Sequence, residues 1–282
     1  MKRTTLAGFR SELLATGSYR THDDCRAASR AGKNALTTFR LAWNVGKLFP
    51  LTALYDRLGL LTRSRWEKIA FATIREAETL GMNVVFEGWE NRVEHKGPVV
   101  YVCNHMSSFE TIMLPPVMLT FGPYLVAVKD SLAHMPLIGK DLLDFMGMVP
   151  IGRRNPREDY VHLLNVCAER RDASVLIFPQ GARQRVFDRE RVSSLGAKLA
   201  SRLHYPLCPI AVDTRCLPVR ESGALRKVFR DFGTVDTSFD VRCACGPLME
   251  GDSRNLQEQL LEWMADKLSQ WDLSVRETGK MV

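Results

Sequence analysis

The 282-residue sequence predicts an α/β fold with a mostly parallel central sheet flanked by helices and an N-terminal helical segment. Short apolar runs rich in β-branched residues, typical of buried strands, occur at residues 99–103, 124–129, 174–178 and 206–212. Longer stretches with helical periodicity separate these runs, and that alternation favours a sheet covered on both faces. Apolar residues make up 45% of the chain and charged residues 25%, which is enough to build a sizeable core.

Three regions are expected along the chain. Residues 1–33 are polar and weakly patterned, which is typical of a loose tail or a short helix. Residues 34–80 carry amphipathic helices, and Pro50 divides the stretch 35–61 into two pieces with basic flanks. Such a pair either lies in a membrane surface or packs against the core, and periodicity alone leaves both possibilities open. Residues 81–282 are assigned to the α/β domain.

The elements around the four buried runs follow from capping and turn residues. A helix is expected at 64–80, capped by Ser64 and ended by Gly81. Residues 84–88 and 93–94 are expected to form a β-hairpin. The remaining expected elements are a helix after residue 110 interrupted by Pro115 and Pro116, a short strand at 147–151, helices at 136–145, 156–171, 193–203 and 256–271, and a fifth strand at 239–245.

Charge and cysteine usage narrow the class of protein. The net charge of +7 fits nucleic acid, an anionic membrane surface or phosphorylated substrates as partners. No basic stretch with interleaved aromatics favours RNA or DNA, so no nucleic-acid partner is expected. The seven cysteines include no C-x-x-C pair, which indicates a reducing cytoplasm without disulfides or a zinc site. No apolar run approaches the roughly 20 residues that span a bilayer, and no secretory signal is expected.

His105 and Glu110 follow the run at 99–103, at a place where ligands commonly bind in open α/β sheets. On one ideal helix the two side chains would point about 140° apart, so they can meet only if a helix begins between them. Ser107 or Ser108 is a suitable N-cap. Glu110 could then orient the imidazole as a general base, or it could simply complete a capping box with Ser107. The residues alone leave both interpretations open.

Arginines follow two other expected strands. Gly181 and Arg183 come after the run at 174–178, in a Pro-x-Gly turn that leads to an expected helix start, and Arg153 and Arg154 follow the short strand. Backbone amides and guanidinium groups together make a phosphate-binding arrangement. Taken singly, each arginine is more often a solvated surface charge.

Four blocks then stand in order along the chain: Asn-His-x4-Glu, Gly-x-x-Pro-Ile-Gly-Arg, Phe-Pro-Gln-Gly-Ala-Arg and Pro-Leu-Cys-Pro-Ile-Ala-Val. Over residues 84–215 they resemble the glycerolipid acyltransferase family, which includes 1-acylglycerol-3-phosphate acyltransferase. The resemblance implies that an acyl group moves from acyl-CoA or acyl carrier protein to a hydroxyl of a lyso-phospholipid or related lipid. It implies His105 as the base and Glu110 as its orienting carboxylate. The residues expected to contact the acceptor are Arg153, Gln180, Gly181 and Arg183.

The sequence departs from the family pattern at two places. Glu110 stands where the family has Asp, and Gln180-Gly181-Ala182-Arg183 stands where the family has Glu-Gly-Thr-Arg. The second change removes a charge and a hydroxyl, so an acceptor other than lysophosphatidate fits as well.

The resemblance also implies that the N-terminal helices dock on the cytoplasmic face of a membrane. No metal or other cofactor is expected, because no ligand cluster has metal-binding spacing. The alternative is a non-catalytic relative that binds lipid. A hydrolase using Ser107 or Ser108 is disfavoured because neither lies in a G-x-S-x-G elbow.

Overall fold

The computed structural model describes residues 4–25, 30, 32–130, 140–152, 155–217, 233–277 and 280–281. Its helices are α1 (Leu6–Thr16), α2 (Ala35–Gly46), α3 (Leu48–Arg57), α4 (Arg63–Thr79), α5 (Glu90–Glu94), α6 (Phe109–Phe121), α7 (Lys140–Phe145), α8 (Pro156–Glu169), α9 (Leu195–Leu203) and α10 (Ser253–Gln270). Its strands are β1 (Tyr19–Arg20), β2 (Val84–Glu87), β3 (Val100–Cys103), β4 (Tyr124–Lys129), β5 (Met148–Ile151), β6 (Ser174–Ile177), β7 (Phe187–Asp188), β8 (Leu207–Asp213), β9 (Val241–Cys245), β10 (Val275–Glu277) and β11 (Lys280–Met281).

One eight-stranded sheet, in the order β1-β2-β9-β8-β3-β6-β4-β5, forms the centre of the protein. Strands β8, β3, β6, β4 and β5 all run in the same direction. β9 runs antiparallel to β8, β2 lies parallel to β9, and β1 pairs antiparallel with β2 at the edge. The predicted α/β class with a mostly parallel sheet is confirmed. The carboxyl ends of β3, β6 and β8 therefore meet at one edge of the sheet, where the candidate site lies.

The central strand β3 is buried on both faces. Its side chains alternate between two core clusters, as the two-residue period of a strand requires. Val100 and Val102 contribute to the cluster that contains residues of α8, α9 and α10, whereas Tyr101 and Cys103 contribute to the cluster that contains residues of α4 and α6. This double burial accounts for the unbroken apolar run in the sequence. It also fixes the end of β3 firmly, from which His105 emerges.

The hairpin expected at 84–88 and 93–94 is not formed. β2 pairs with β1 and β9 instead, and Glu90–Glu94 is the helix α5. Gly88 turns the chain at a φ of +76°, and an added Cβ there would come within 2.2 Å of the Cys245 carbonyl oxygen. The chain therefore leaves the sheet directly after β2 rather than folding back onto it.

The described part of residues 1–33 is an ordered element rather than a loose tail. In α1, Phe9 and Leu13 lie one turn apart and are fully buried. The Phe9 ring centre is 4.9 Å from that of Tyr19 in β1 and 5.4 Å from that of Phe86 in β2. A few large apolar side chains thus anchor the segment, although its overall composition is polar.

Two further elements differ from the expectation. α6 continues through Pro115 and Pro116, where an interruption was expected. Both prolines are buried, and α6 packs along α4, so tertiary packing compensates for the missing N–H donors. The fifth strand expected at 239–245 begins at Val241 and runs antiparallel to its neighbour β8.

Helices α2 and α3 each have a buried and an exposed apolar face. Leu41 and Val45 of α2 belong to the core, while Leu36, Phe39 and Trp43 of the same helix are exposed by 75, 65 and 64%. On α3, Leu54 is 51% exposed. The helices therefore pack on the core and also present apolar side chains outward. Within the described part of the chain, no helix is both long enough and apolar enough to cross a bilayer.

Candidate active site

The loop between β3 and α6 carries His105 and Glu110. His105 emerges from the end of β3, and α6 begins at Phe109, which places Glu110 in the first helical turn. The imidazole Nδ1 lies 2.9 Å from Glu110 Oε1. The helix thus begins between the two residues, as their spacing requires, and the side chains meet.

Glu110 is fully buried and is held by donors from two segments of the chain. Its Oε1 accepts hydrogen bonds from the backbone N–H groups of Met106 and Ser107, each at 2.7 Å. Its Oε2 accepts from the hydroxyls of Ser107, at 2.7 Å, and Thr214, at 2.8 Å. The bond of Glu110 back to the Ser107 amide and its contact with His105 therefore exist together, because one carboxylate serves both.

These contacts set the protonation of the pair. Burial raises the pKa of Glu110, but the hydrogen bond and charge of His105 and the donors of Ser107 lower it by more, so it falls below its ordinary value. An ionised carboxylate can only accept hydrogen bonds, so Nδ1 of His105 carries a proton. Nε2 is then the basic nitrogen of the neutral ring. The His105 side chain is 15% exposed, and its ring centre lies 4.5 Å from that of Phe178.

The loop after β6 holds the backbone of His105 on both sides. Gln180 Oε1 accepts a hydrogen bond from His105 N at 3.1 Å, and the His105 carbonyl accepts one from Gln184 N at 2.8 Å. Gln180 is only 8% exposed. The structure thus places this predicted acceptor-binding residue against the backbone of the predicted base. An amide oxygen accepts from a backbone N–H as a carboxylate would, so this contact does not require a charge at residue 180.

Arg183 reaches the same edge of the sheet. Its Nη1 donates to the hydroxyl of Ser108, which lies at the N-terminus of α6. Gly181 has a φ of +69°, which favours glycine, and open space surrounds the position of a Cβ there. Contrary to the expectation, Arg183 lies in the irregular loop after β6 and does not begin a helix; the helix N-terminus beside it is that of α6. Helix N-termini and guanidinium groups both favour anions.

Sequence analysis did not single out Thr214 or Asn104. Thr214 directly follows β8 and closes the hydrogen-bond shell of Glu110. Asn104 joins β3 to β8, since its amide donates to Val212 O and accepts from Val212 N. A polar residue straight after a buried run is the signal that could have found Asn104, whereas Asp213 separates Thr214 from the run at 206–212. Arg153, by contrast, lies outside the described residues, and its contact with the acceptor stays a prediction.

Other parts of the fold offer less chemistry. A cleft of about 480 Å³ is lined by Glu87, Trp263 and Lys267 among others, near the ends of β2 and β9. Because β9 runs antiparallel to β8, this cleft lies at the edge of the sheet opposite His105. Within the described ranges, no group of three or more His, Cys, Asp or Glu side chains could hold a metal ion. All seven cysteines are free and buried.

Comparison with known proteins places this geometry in context. The family described as Acyltransferase matches residues 83–213, which span β3, α6, β6 and β8. No curated protein sequence matches the chain. The crystal structure of the 1-acyl-sn-glycerophosphate (LPA) acyltransferase PlsC from Thermotoga maritima is similar, with a TM-score of 0.57 and 17% sequence identity. The similarity covers 88% of this chain and 98% of that one, and it shows that the two share a fold.

Proposed function

From the match of residues 83–213 to the Acyltransferase family, we propose that the chain is a glycerolipid-type acyltransferase. The donor is an acyl thioester, either acyl-CoA or acyl carrier protein. The acceptor is a hydroxyl of a lyso-phospholipid or a related lipid. The observation that carries the proposal is the 2.9 Å contact between His105 Nδ1 and the buried, fully hydrogen-bonded Glu110.

In the proposed reaction, His105 Nε2 takes the proton from the acceptor hydroxyl. The resulting alkoxide attacks the thioester carbonyl carbon, the C–O bond forms and the C–S bond breaks. The carrier thiolate leaves and recovers the proton from the imidazolium. Glu110 stabilises that imidazolium and keeps the ring in the tautomer with a basic Nε2. No covalent acyl-enzyme is needed, so no protein nucleophile takes part.

The acceptor phosphate is proposed to bind beside Arg183. The guanidinium stands against Ser108 at the N-terminus of α6, where both the charge and the helix dipole favour an anion. Gly181 turns the loop without a side chain, which leaves open space next to it. Arg153 is proposed as a second contact from the block that follows β5. This loop lacks the Glu and Thr of the family pattern, which supports a range of lyso-lipid acceptors that is not restricted to lysophosphatidate.

The membrane is proposed as the source of the acceptor. Leu36, Phe39, Trp43 and Leu54 form an exposed apolar surface on α2 and α3, and the protein carries a net charge of +7. A basic protein with outward apolar helices suits the surface of an anionic bilayer. We place the protein at the cytoplasmic face, docked peripherally through these two helices.

Free-thiol release from palmitoyl-CoA, with a panel of lyso-lipids in detergent, tests the reaction. His105→Ala should lower acceptor-dependent release by about 10²-fold to 10⁴-fold, the usual loss on removing a general base. His162→Ala, an exposed histidine on α8, is the matched control and should leave the rate unchanged. The contrary outcome is that neither palmitoyl-CoA nor acylated acyl carrier protein releases free thiol with any acceptor. If the protein in that test is folded and binds vesicles, the chain is a non-catalytic lipid-binding relative.

A further inference from the structure

A second cleft, of about 340 Å³, lies between α2 and α4, away from His105. Helix α2 contributes cationic and amide side chains to it, and α4 contributes hydroxyl and cationic ones. The polar residues lining it are Arg40, Asn44, Lys47, Thr73, Arg75, Glu76 and Thr79.

The charge of the cleft is positive. Its one acidic side chain, Glu76, is neutralised by Arg40, whose Nε donates to Glu76 Oε1 at 2.7 Å. Lys47 Nζ donates to the neutral Asn44 side chain at 2.6 Å. Among the residues that the structure describes, neither Lys47 nor Arg75 forms an ion pair with a carboxylate. Two cationic groups therefore face the cleft without a compensating charge.

The cleft also contains buried donors without partners. Thr73 is 1% exposed, and its hydroxyl makes no hydrogen bond. A threonine within a helix commonly donates to the carbonyl four residues earlier, which Thr73 does not do. The Nε of Arg75 is likewise buried and has no hydrogen-bond partner. Buried polar groups are nearly always satisfied, so each of these two α4 donors lining the cleft points to an absent acceptor. A negatively charged group with more than one oxygen suits such donors, because they come from different sides of the helix.

The position of the cleft identifies the source of that anion. Leu36, Phe39 and Trp43 form the exposed apolar stripe of α2. At about 100° per residue, Arg40 and Lys47 lie within about 70° of the middle of this stripe. We propose that the cleft binds the phosphate of a membrane phospholipid when the stripe enters the apolar layer. This lipid is a docking ligand and is distinct from the acceptor that reacts at His105.

Two substitutions distinguish lipid binding in this cleft from general attraction of the basic protein to an anionic surface. Thr73→Val removes the unpartnered hydroxyl without changing charge, and Arg75→Gln removes one positive charge from the cleft. Arg57→Gln is the matched control, because Arg57 ends the neighbouring helix α3, is exposed and does not line the cleft. Binding is measured by co-sedimentation with vesicles of phosphatidylcholine and phosphatidylglycerol, with no acyl donor present. The melting temperature is measured with inorganic phosphate and with chloride at equal ionic strength.

We expect Thr73→Val and Arg75→Gln each to weaken vesicle binding by about tenfold or more, the cost of one hydrogen bond to a charged group. Arg57→Gln should change it by about twofold. Thr73→Val should also lose the wild-type stabilisation by phosphate, while melting no lower than wild type in chloride, because it replaces a hydroxyl that has no partner.

Three results would overturn the proposal. If both cleft variants bind vesicles as well as Arg57→Gln does, the cleft is not a lipid-binding site. Loss of phosphate stabilisation with unchanged vesicle binding would make it a site for free phosphate instead of lipid. Weaker vesicle binding without any effect of phosphate on the melting temperature would exclude the phosphate group as the ligand. Because no acyl donor is used, failure of the acyl-transfer reaction leaves this test intact.

Discussion

Replacing Glu110 with Gln separates the charge of the buried carboxylate from its geometry. The amide oxygen of Gln can accept the three hydrogen bonds that Oε1 now accepts, from His105 Nδ1 and the amides of Met106 and Ser107. The new NH₂ group would face the Ser107 and Thr214 hydroxyls, which can reverse their role and accept. Glu110→Gln should therefore fold and keep the tautomer of His105. Only the negative charge beside the ring is lost.

The size of the loss follows from the distance. Charges about 4 Å apart interact by about 4 kcal/mol at an effective dielectric constant of 20. Each 1.36 kcal/mol is a factor of ten in rate, so kcat/KM should fall by up to about 10³-fold. The assay is acceptor-dependent thiol release across a range of acceptor concentrations, with the melting temperature as the check on folding.

A value of kcat/KM for Glu110→Gln within a few-fold of wild type, in protein that is folded, would refute this reasoning. Glu110 would then act only as a cap for the loop. Glu110→Asp is the geometric counterpart, because it keeps the charge and shortens the side chain by one methylene. It should also lose activity, since the shorter side chain cannot reach Nδ1 and the Thr214 hydroxyl together unless the backbone moves.

Three further predictions concern positioning, pH and packing. Thr214→Val should lower kcat by about tenfold or more through loss of one hydrogen bond to the Glu110 carboxylate, while Thr214→Ser should restore most of it in the same thiol assay. The pKa of Glu110 is lowered in the folded protein, so its ionised carboxylate contributes stability above the unfolded pKa of about 4.3, and this contribution disappears as the pH falls through the folded pKa. Acid unfolding curves should therefore show that wild type loses its stability advantage over Glu110→Gln between these two pKa values. Phe9→Ala should lower the free energy of unfolding by about 3–5 kcal/mol, because the ring is fully buried against Tyr19 and Phe86. Urea denaturation measures this change, and a loss below about 1 kcal/mol would mean that α1 is not part of the folded core.

The parts of the fold that sequence patterns predicted are those that local chemistry determines. β3, β4, β6 and β8 are buried on both faces, so each reads as an unbroken apolar run whatever its neighbours are. The contact between His105 and Glu110 was predicted as one of two open interpretations. The serines between them suit a helix start at that point, and both residues belong to one short segment.

The parts that were missed depend on contacts between distant segments. β2 has the same pattern whether it folds into a hairpin or pairs with β1 and β9, and only the tertiary structure decides between them. The two prolines in α6 read as a break, yet packing along α4 keeps the helix continuous. Thr214 and Gln180 are separated from His105 by long stretches of chain, so their contacts with the dyad could not be read from spacing.

The two backbone amides that share Glu110 Oε1 with His105 give the site a built-in reporter. The N–H groups of Met106 and Ser107 bond to the same oxygen that orients the imidazole, so they exchange with solvent only when that arrangement opens. Their hydrogen-exchange protection therefore measures the fraction of molecules in which Glu110 holds His105, the proposed base, without substrate or turnover. Local opening of the segment that holds Glu110 and loss of its contact with His105 are one event. On warming, catalytic competence should disappear together with the protection of these two amides, even where the sheet itself remains folded.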